Sequence, residues 1–146
     1  MLSNVIKLND EELVTVADLF SIRGGEADLA RRLMLKYQLK VVAVTRGAKG
    51  AVLYCPEETC HAKGEKINIV DTVGAGDSFT AALVIGLING VKRGTIVNLA
   101  NRLASYVCGR HGATPMLSRK MILTMKPLAV ARVLTQNTMT PKDGVG

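Results

Sequence analysis

Residues 71–79 read Asp71-Thr72-Val73-Gly74-Ala75-Gly76-Asp77-Ser78-Phe79. Small residues at 74–76 let a bulky anion come close to the backbone. An amphipathic stretch, Ser78 to Asn89, follows at once, so the run reads as a loop that turns into a helix start. Amides at the beginning of a helix are unpaired and carry partial positive charge, which suits phosphate. Asp77 then sets a carboxylate beside that anion site, an unfavourable place unless the carboxylate has chemistry to perform. A carboxylate able to take a proton from a hydroxyl, next to amides that hold a phosphoryl group, is the minimum a phosphoryl transferase needs. A glycine-rich turn that merely starts a helix accounts for the glycines, but not for both aspartates and the threonine.

Outward from this run, strand-like and helix-like segments alternate, the pattern of a parallel sheet covered by helices. Val5 to Leu8 is a short strand, and Asp10 to Phe20 a helix with acidic residues in its first turn and Leu13, Val16, Ala17 and Phe20 at helical spacing. A second helix is expected from Glu26 to Tyr37. Lys40 to Thr45 is a buried strand, nearly continuous in apolar residues. Gly47 and Gly50 make a tight turn into another strand, Ala51 to Tyr54, followed by a polar loop over Pro56 to Gly64. Lys66 to Val70 is expected to form a short strand leading into the 71–79 run. Helices follow over Ala75 to Asn89, Thr95 to Gly109 and Ser118 to Leu134, and the polar residues 135–146 are expected to form a frayed tail.

The 146 residues fit one domain able to bury a core. Hydrophobic residues make up 48% but aromatics only 3%, so Val, Leu, Ile and Ala must fill the interior. No apolar run reaches the roughly 18 residues of a membrane span, and the N-terminus lacks the layout of a secretion signal. Three cysteines, Cys55, Cys60 and Cys108, are odd in number and lack Cys-x-x-Cys spacing, which favours free thiols and a cytoplasmic location. Cys60-His61 without further partners does not make a zinc site. Net charge is +7, but the basic residues are scattered and not interleaved with aromatics, so neither a nucleic-acid nor a membrane partner is expected.

Asn9 and Glu12 come directly after the first strand, where ligands of open α/β sheets gather. Asn9 is equally a good helix N-cap with Glu12 as its N3 partner. Thr45-Arg46-Gly47-Ala48-Lys49-Gly50 closes the buried strand in a glycine-rich turn, and the spacing fixes no role for Arg46 or Lys49. Neither a Walker A loop nor a Gly-x-Gly-x-x-Gly fingerprint occurs.

The ordered run Asp-Thr-x-Gly-Ala-Gly-Asp resembles the second signature of the ribokinase-type (PfkB) carbohydrate kinases, and the likeness extends from about Asn4 to about Pro115. It looks nearest to the fructokinase-like members. The resemblance implies an α/β fold: the C-terminal portion of a ribokinase-like three-layer α/β/α sandwich with a mainly parallel sheet. It implies transfer of the γ-phosphoryl group of ATP to a sugar hydroxyl, with Asp77 as the general base and the amides of Gly74, Ala75, Gly76 and Asp77 as the anion hole. Thr45, Gly47 and Gly50 match an element that contacts nucleotide phosphates. Asn101 falls on a helix that lines the adenine pocket in the family, though it also reads as an exposed helix residue. The Asn-x-x-Glu spacing of Asn9 and Glu12 resembles the family motif that helps order magnesium and phosphate, with Glu12 acting through water. Asp71, with the loop from Cys108 to Gly112, corresponds to a monovalent-cation site (K+) of some relatives; alternatively Asp71 organises its own turn. His111 in that loop reads as a solvated histidine.

Family members are considerably longer. Residues 1–134 are therefore expected to be the ATP-binding half, without the N-terminal half that carries most sugar contacts, the first glycine-rich signature and a lid. Such a piece is expected to bind nucleotide weakly, to phosphorylate sugar poorly, and to self-associate through an apolar edge. A non-catalytic nucleotide- or phosphate-binding regulatory module is the second reading.

Overall fold

The computed structural model describes residues 4–136, with side chains up to 129. Strand β1 (Val5–Asn9) leads into helices α1 (Asp10–Leu19) and α2 (Glu26–Tyr37), then β2 (Val41–Thr45). A single 3-10 turn over Gly47–Lys49 joins β2 to β3 (Gly50–Tyr54), and β4 (Thr59–Lys63) follows. Helices α3 (Ala75–Ile88), α4 (Arg93–Cys108) and α5 (Arg119–Gln136) complete the described chain. Beyond Gln136, the tail expected over 135–146 lies outside the described residues.

The strands form one sheet in the order β1-β2-β3-β4. Both central strands are buried throughout or nearly so, and alternation divides their side chains between two cores. Val42, Val44, Val52 and Tyr54 pack with Leu13, Leu29 and Leu33 of α1 and α2. Val41, Ala43, Ala51 and Leu53 pack with Phe79, Leu83, Ile96 and Ala100 of α3 and α4. The three-layer α/β arrangement follows directly from this two-sided burial.

Pairing within the sheet is less parallel than the alternating pattern suggested. β1 and β2 run parallel across the two intervening helices, whereas β2–β3 and β3–β4 are antiparallel hairpins. Short connections permit only antiparallel return. The stretch expected to be a polar loop contains β4, whose burial alternates: Ala62 is buried and Cys60 half-buried toward the core, while Thr59, His61 and Lys63 face water. A one-sided edge strand thus carries a loop-like composition. Conversely, Lys66 to Val70 forms no strand, and Ile67, Ile69 and Val70 stay exposed. All three cysteines are free. Among the described residues no helix is long and apolar enough to cross a membrane.

Candidate phosphate-handling site

The parallel strands β1 and β2 end side by side, with Asn9 in register with Thr45. Asn9 caps α1: the Glu12 amide donates to Asn9 Oδ1 at 2.7 Å, and the Asn9 amide donates to Glu12 Oε2 at 2.7 Å. The capping reading is therefore realised, and it leaves the other carboxylate oxygen of exposed Glu12 open to water. No group of three or more His, Cys, Asp or Glu gathers at one place among the described residues. A hard-oxygen donor with few protein neighbours fits magnesium held mainly by water and nucleotide oxygens.

The Thr45–Gly50 turn is fixed from outside itself. Arg46 Nε donates to Glu26 Oε2 at 2.8 Å, and a second guanidinium nitrogen reaches Oε1. Tyr54 donates its hydroxyl to Glu26 Oε1 at 2.6 Å. Burial alone would raise the Glu26 carboxyl, but the hydrogen bonds from Arg46 and Tyr54 outweigh it and hold the group below the usual carboxylate value. Burial, and then the bond to Glu26, push the Tyr54 hydroxyl up to about 12. Arg46 is thus committed to Glu26. Gly50 has φ +98°, and a Cβ there would stand 2.0 Å from the Ala62 carbonyl oxygen; no other residue fits the turn without displacing β4.

Residues 71–77 are held differently. The Val73 amide donates to Asp71 Oδ1 at 2.9 Å, and the Gly112 amide to Oδ2 at 3.2 Å. These two backbone bonds, Val73 first, hold the Asp71 carboxyl below its ordinary value. The Cys108 carbonyl accepts from the amides of Val70 and Asp71, so Asp71 and the Cys108–Gly112 loop do meet. The bonds support the turn-organising role of Asp71, and a carboxylate has lone pairs left for a cation. His111 is exposed. Gly74 enters α3 at φ +82°, with the Ala113 carbonyl oxygen 2.2 Å from where a Cβ would be. In the first turn, the Ala75 amide is taken by the Thr72 carbonyl at 3.3 Å. The amides of Gly76 and Asp77 find no acceptor among the described residues. Asp77 is exposed and forms no ion pair among the described residues.

A cleft of about 630 Å3 opens between these two segments, and Thr45, Gly47, Gly50, Ala75, Gly76 and Asn101 all line it. Apolar surface comes from Ile67, Ile69 and Ala104. Asn9, Glu12, Asp71, Gly74 and Asp77 are not part of its wall. Asn101 is buried, not exposed, at 7%, and its Nδ2 donates to the Lys63 carbonyl at 2.9 Å. It therefore ties the end of β4 to α4 at the edge of the cleft.

Sequence reasoning missed Glu26 and Tyr54: Glu26 lies 20 residues from Arg46 and 28 from Tyr54, and no spacing betrays either bond. It also passed over Lys7. That residue follows Val5 on the alternation that faces the α3–α4 core, and a lysine at such a place is the signal that could have found it.

The sequence pattern of the pfkB family carbohydrate kinases matches residues 1–120. A fructokinase of Rhizobium leguminosarum bv. trifolii is 36% identical over 85 residues, covering 58% of this chain and 24% of that one. A 5-dehydro-2-deoxygluconokinase of Listeria monocytogenes is 29% identical over 92 residues, covering 62% of this chain and 28% of that one. The crystal structure of a Thermotoga maritima ribokinase superposes with a TM-score of 0.73 at 26% identity, over 84% of this chain and 42% of that one. The chain thus spans about a quarter of the length of these two curated relatives.

Proposed function

The chain belongs to the pfkB family of carbohydrate kinases, and from that premise we propose that it handles the nucleotide and the moving phosphoryl group in transfer from ATP to a sugar hydroxyl. The observation that carries this reading is the start of α3: a left-handed Gly74, unpaired amides at Gly76 and Asp77, and the Asp77 carboxylate on the same turn.

In this reading the cleft holds ATP. The Thr45–Gly50 turn meets the phosphates, and the buried Asn101 borders the base beside Ile67 and Ala104. Asp77 takes the proton from the sugar hydroxyl, and the oxygen's freed electron pair forms a bond to the γ-phosphorus. The bond from that phosphorus to the β–γ bridging oxygen breaks, and ADP leaves. The open amides of Gly76 and Asp77 stabilise the charge that spreads over the phosphoryl oxygens during transfer, and the Ala75 amide joins them only by giving up the Thr72 carbonyl. Magnesium on the nucleotide supplies charge neutralisation at the phosphates, and Asn9 with Glu12 are the side chains to hold its water. Asp71 beside the Cys108–Gly112 loop is the place for a monovalent cation. Fructose leads the candidate sugars, because a fructokinase is among the relatives. Self-association would run through the β1 side of the sheet, where β1 is the outermost of the described strands; a monodisperse monomer in light scattering contradicts it.

The test is ADP release with Mg-ATP and a panel of sugars, fructose included, for the chain and for Asp77→Asn. A lost general base lowers turnover roughly 10²–10⁴-fold, so sugar-dependent release that Asp77→Asn abolishes supports the reading. Release that survives the substitution contradicts it. Nucleotide binding without any release points to the regulatory, non-catalytic module.

A further inference from the structure

Lys7 carries a charge into a position that the fold would otherwise fill with an apolar side chain. It pairs in register with Ala43, as Val5 pairs with Val41, and Val41 and Ala43 belong to the core under α3 and α4, against which Val5 also packs. Lys7 therefore projects from the same face of β1, toward α3. Its ammonium nitrogen stands 3.4 Å from the point a Cβ on Gly76 would occupy. The missing side chain at Gly76 leaves that space to the ammonium.

A half-buried ammonium without a counter-charge is unfavourable, yet Lys7 forms no ion pair among the described residues. Asp77 follows Gly76 immediately and still makes none with it. The ammonium stands beside the turn whose Gly76 and Asp77 amides are unpaired. Asn9, two residues further along β1, opens the capping box with Glu12. Those amides contribute only partial charges, about half an elementary charge for a whole helix end. A terminal phosphate carries more negative charge than that, and a compact ammonium on a flexible stem suits it as a point charge.

We propose that Lys7 is the side-chain cation that contacts the terminal phosphate of the triphosphate at the start of α3. The proposal rests on the phosphoryl-transfer reading above. It makes Lys7 a discriminator: the contact exists for the γ-phosphate of ATP and is missing for ADP, whose chain of phosphates ends one unit earlier.

The experiment is calorimetric titration of the intact chain with ATP and with ADP at fixed salt, for wild type, Lys7→Met, Lys7→Gln and Lys7→Arg. A charge-assisted contact predicts that Lys7→Met and Lys7→Gln weaken ATP about tenfold or more and ADP by less than about twofold. Lys7→Arg keeps most of the ATP preference. Lys7→Met is also expected to melt no lower than wild type, since it puts an unbranched apolar side chain of similar length on the core-facing side of β1. Equal weakening of both nucleotides, or of neither, overturns the role of Lys7 and leaves the phosphoryl-transfer reading in place. Failure of the wild-type chain to bind either nucleotide overturns both.

Discussion

The two glycine-bearing segments that border the cleft are built on different foundations. The Thr45–Gly50 turn joins two strands buried on both faces and is clamped by the Glu26–Arg46–Tyr54 cluster. The Asp71–Asp77 segment has no buried side chain and hangs on backbone bonds to one exposed carboxylate, with Gly74 set against the Ala113 carbonyl. The first inherits its geometry from the core. The second has its own, specified locally and supported by an exposed loop. A rail rooted in buried strands facing an exposed, amide-rich rim would suit the proposed division of labour, with the nucleotide held on the first and the phosphoryl group on the second.

Substitution of the two left-handed glycines sets this contrast most sharply. In Gly50→Ala the new methyl meets the Ala62 carbonyl, which β3–β4 pairing holds in place. We expect a loss of roughly 3–4 kcal/mol in urea denaturation, from backbone strain and overpacking together. In Gly74→Ala the clash is with Ala113, on an exposed loop that can yield. That change should cost only about 1–2 kcal/mol yet remove nucleotide binding. Equal stability losses at the two positions would erase the distinction between rail and rim.

Removing the clamp should have a smaller effect. Glu26→Gln keeps the shape but weakens the bonds to Arg46 and Tyr54, and a loss of about 1–2 kcal/mol is expected near neutral pH. The folded-state carboxyl lies below its ordinary value of 4.5. Its contribution is therefore present above that pH and disappears as pH falls through the lower folded-state value. Stability curves of wild type and variant should converge on acidification below pH 4.5; a constant gap would show that the charge of Glu26 is irrelevant.

The smallest effect is spectroscopic. Among the tyrosines, Tyr54 should ionise near pH 12, held back by burial and by Glu26. Tyr106 should ionise below the usual phenol value, because its oxygen accepts from Ser118. Stability drawn from the Tyr54 hydroxyl is accordingly intact below pH 10 and fades as pH rises toward about 12. Ultraviolet titration of Tyr54→Phe should lack the late step. Persistence of that step would place the late tyrosine elsewhere.

The contrast also explains what the sequence made legible. The rim is written in consecutive residues: Gly74, Gly76 and Asp77 fall within one turn, so the glycine-led start of α3 was legible from their order. Helix α2 was legible to its ends, Glu26 and Tyr37, because the apolar spacing spans those residues and Gly24-Gly25 breaks the chain just before them. The rail depends on partners far apart in the chain, and nothing near Arg46 announces Glu26. Strand β4 stayed hidden because only Ala62 and Cys60 turn inward, too few to signal a period of two. Ile67 and Ile69 misled in the other direction: apolar residues at alternate positions suggested a strand, but they border the cleft without pairing. Asn101 on its helix gave no sign that its amide would be spent on the Lys63 carbonyl.

The central claim is that rail and rim together receive a nucleotide's phosphates. Residue-resolved amide NMR of the intact chain, titrated with Mg-ATP, addresses it directly. The account predicts that the amides of Gly76 and Asp77 shift most, with the Thr45–Gly50 turn moving alongside and α1 and α2 beyond Glu12 unchanged. Shifts confined to other surfaces, or a spectrum indifferent to ATP at millimolar concentration, would contradict it.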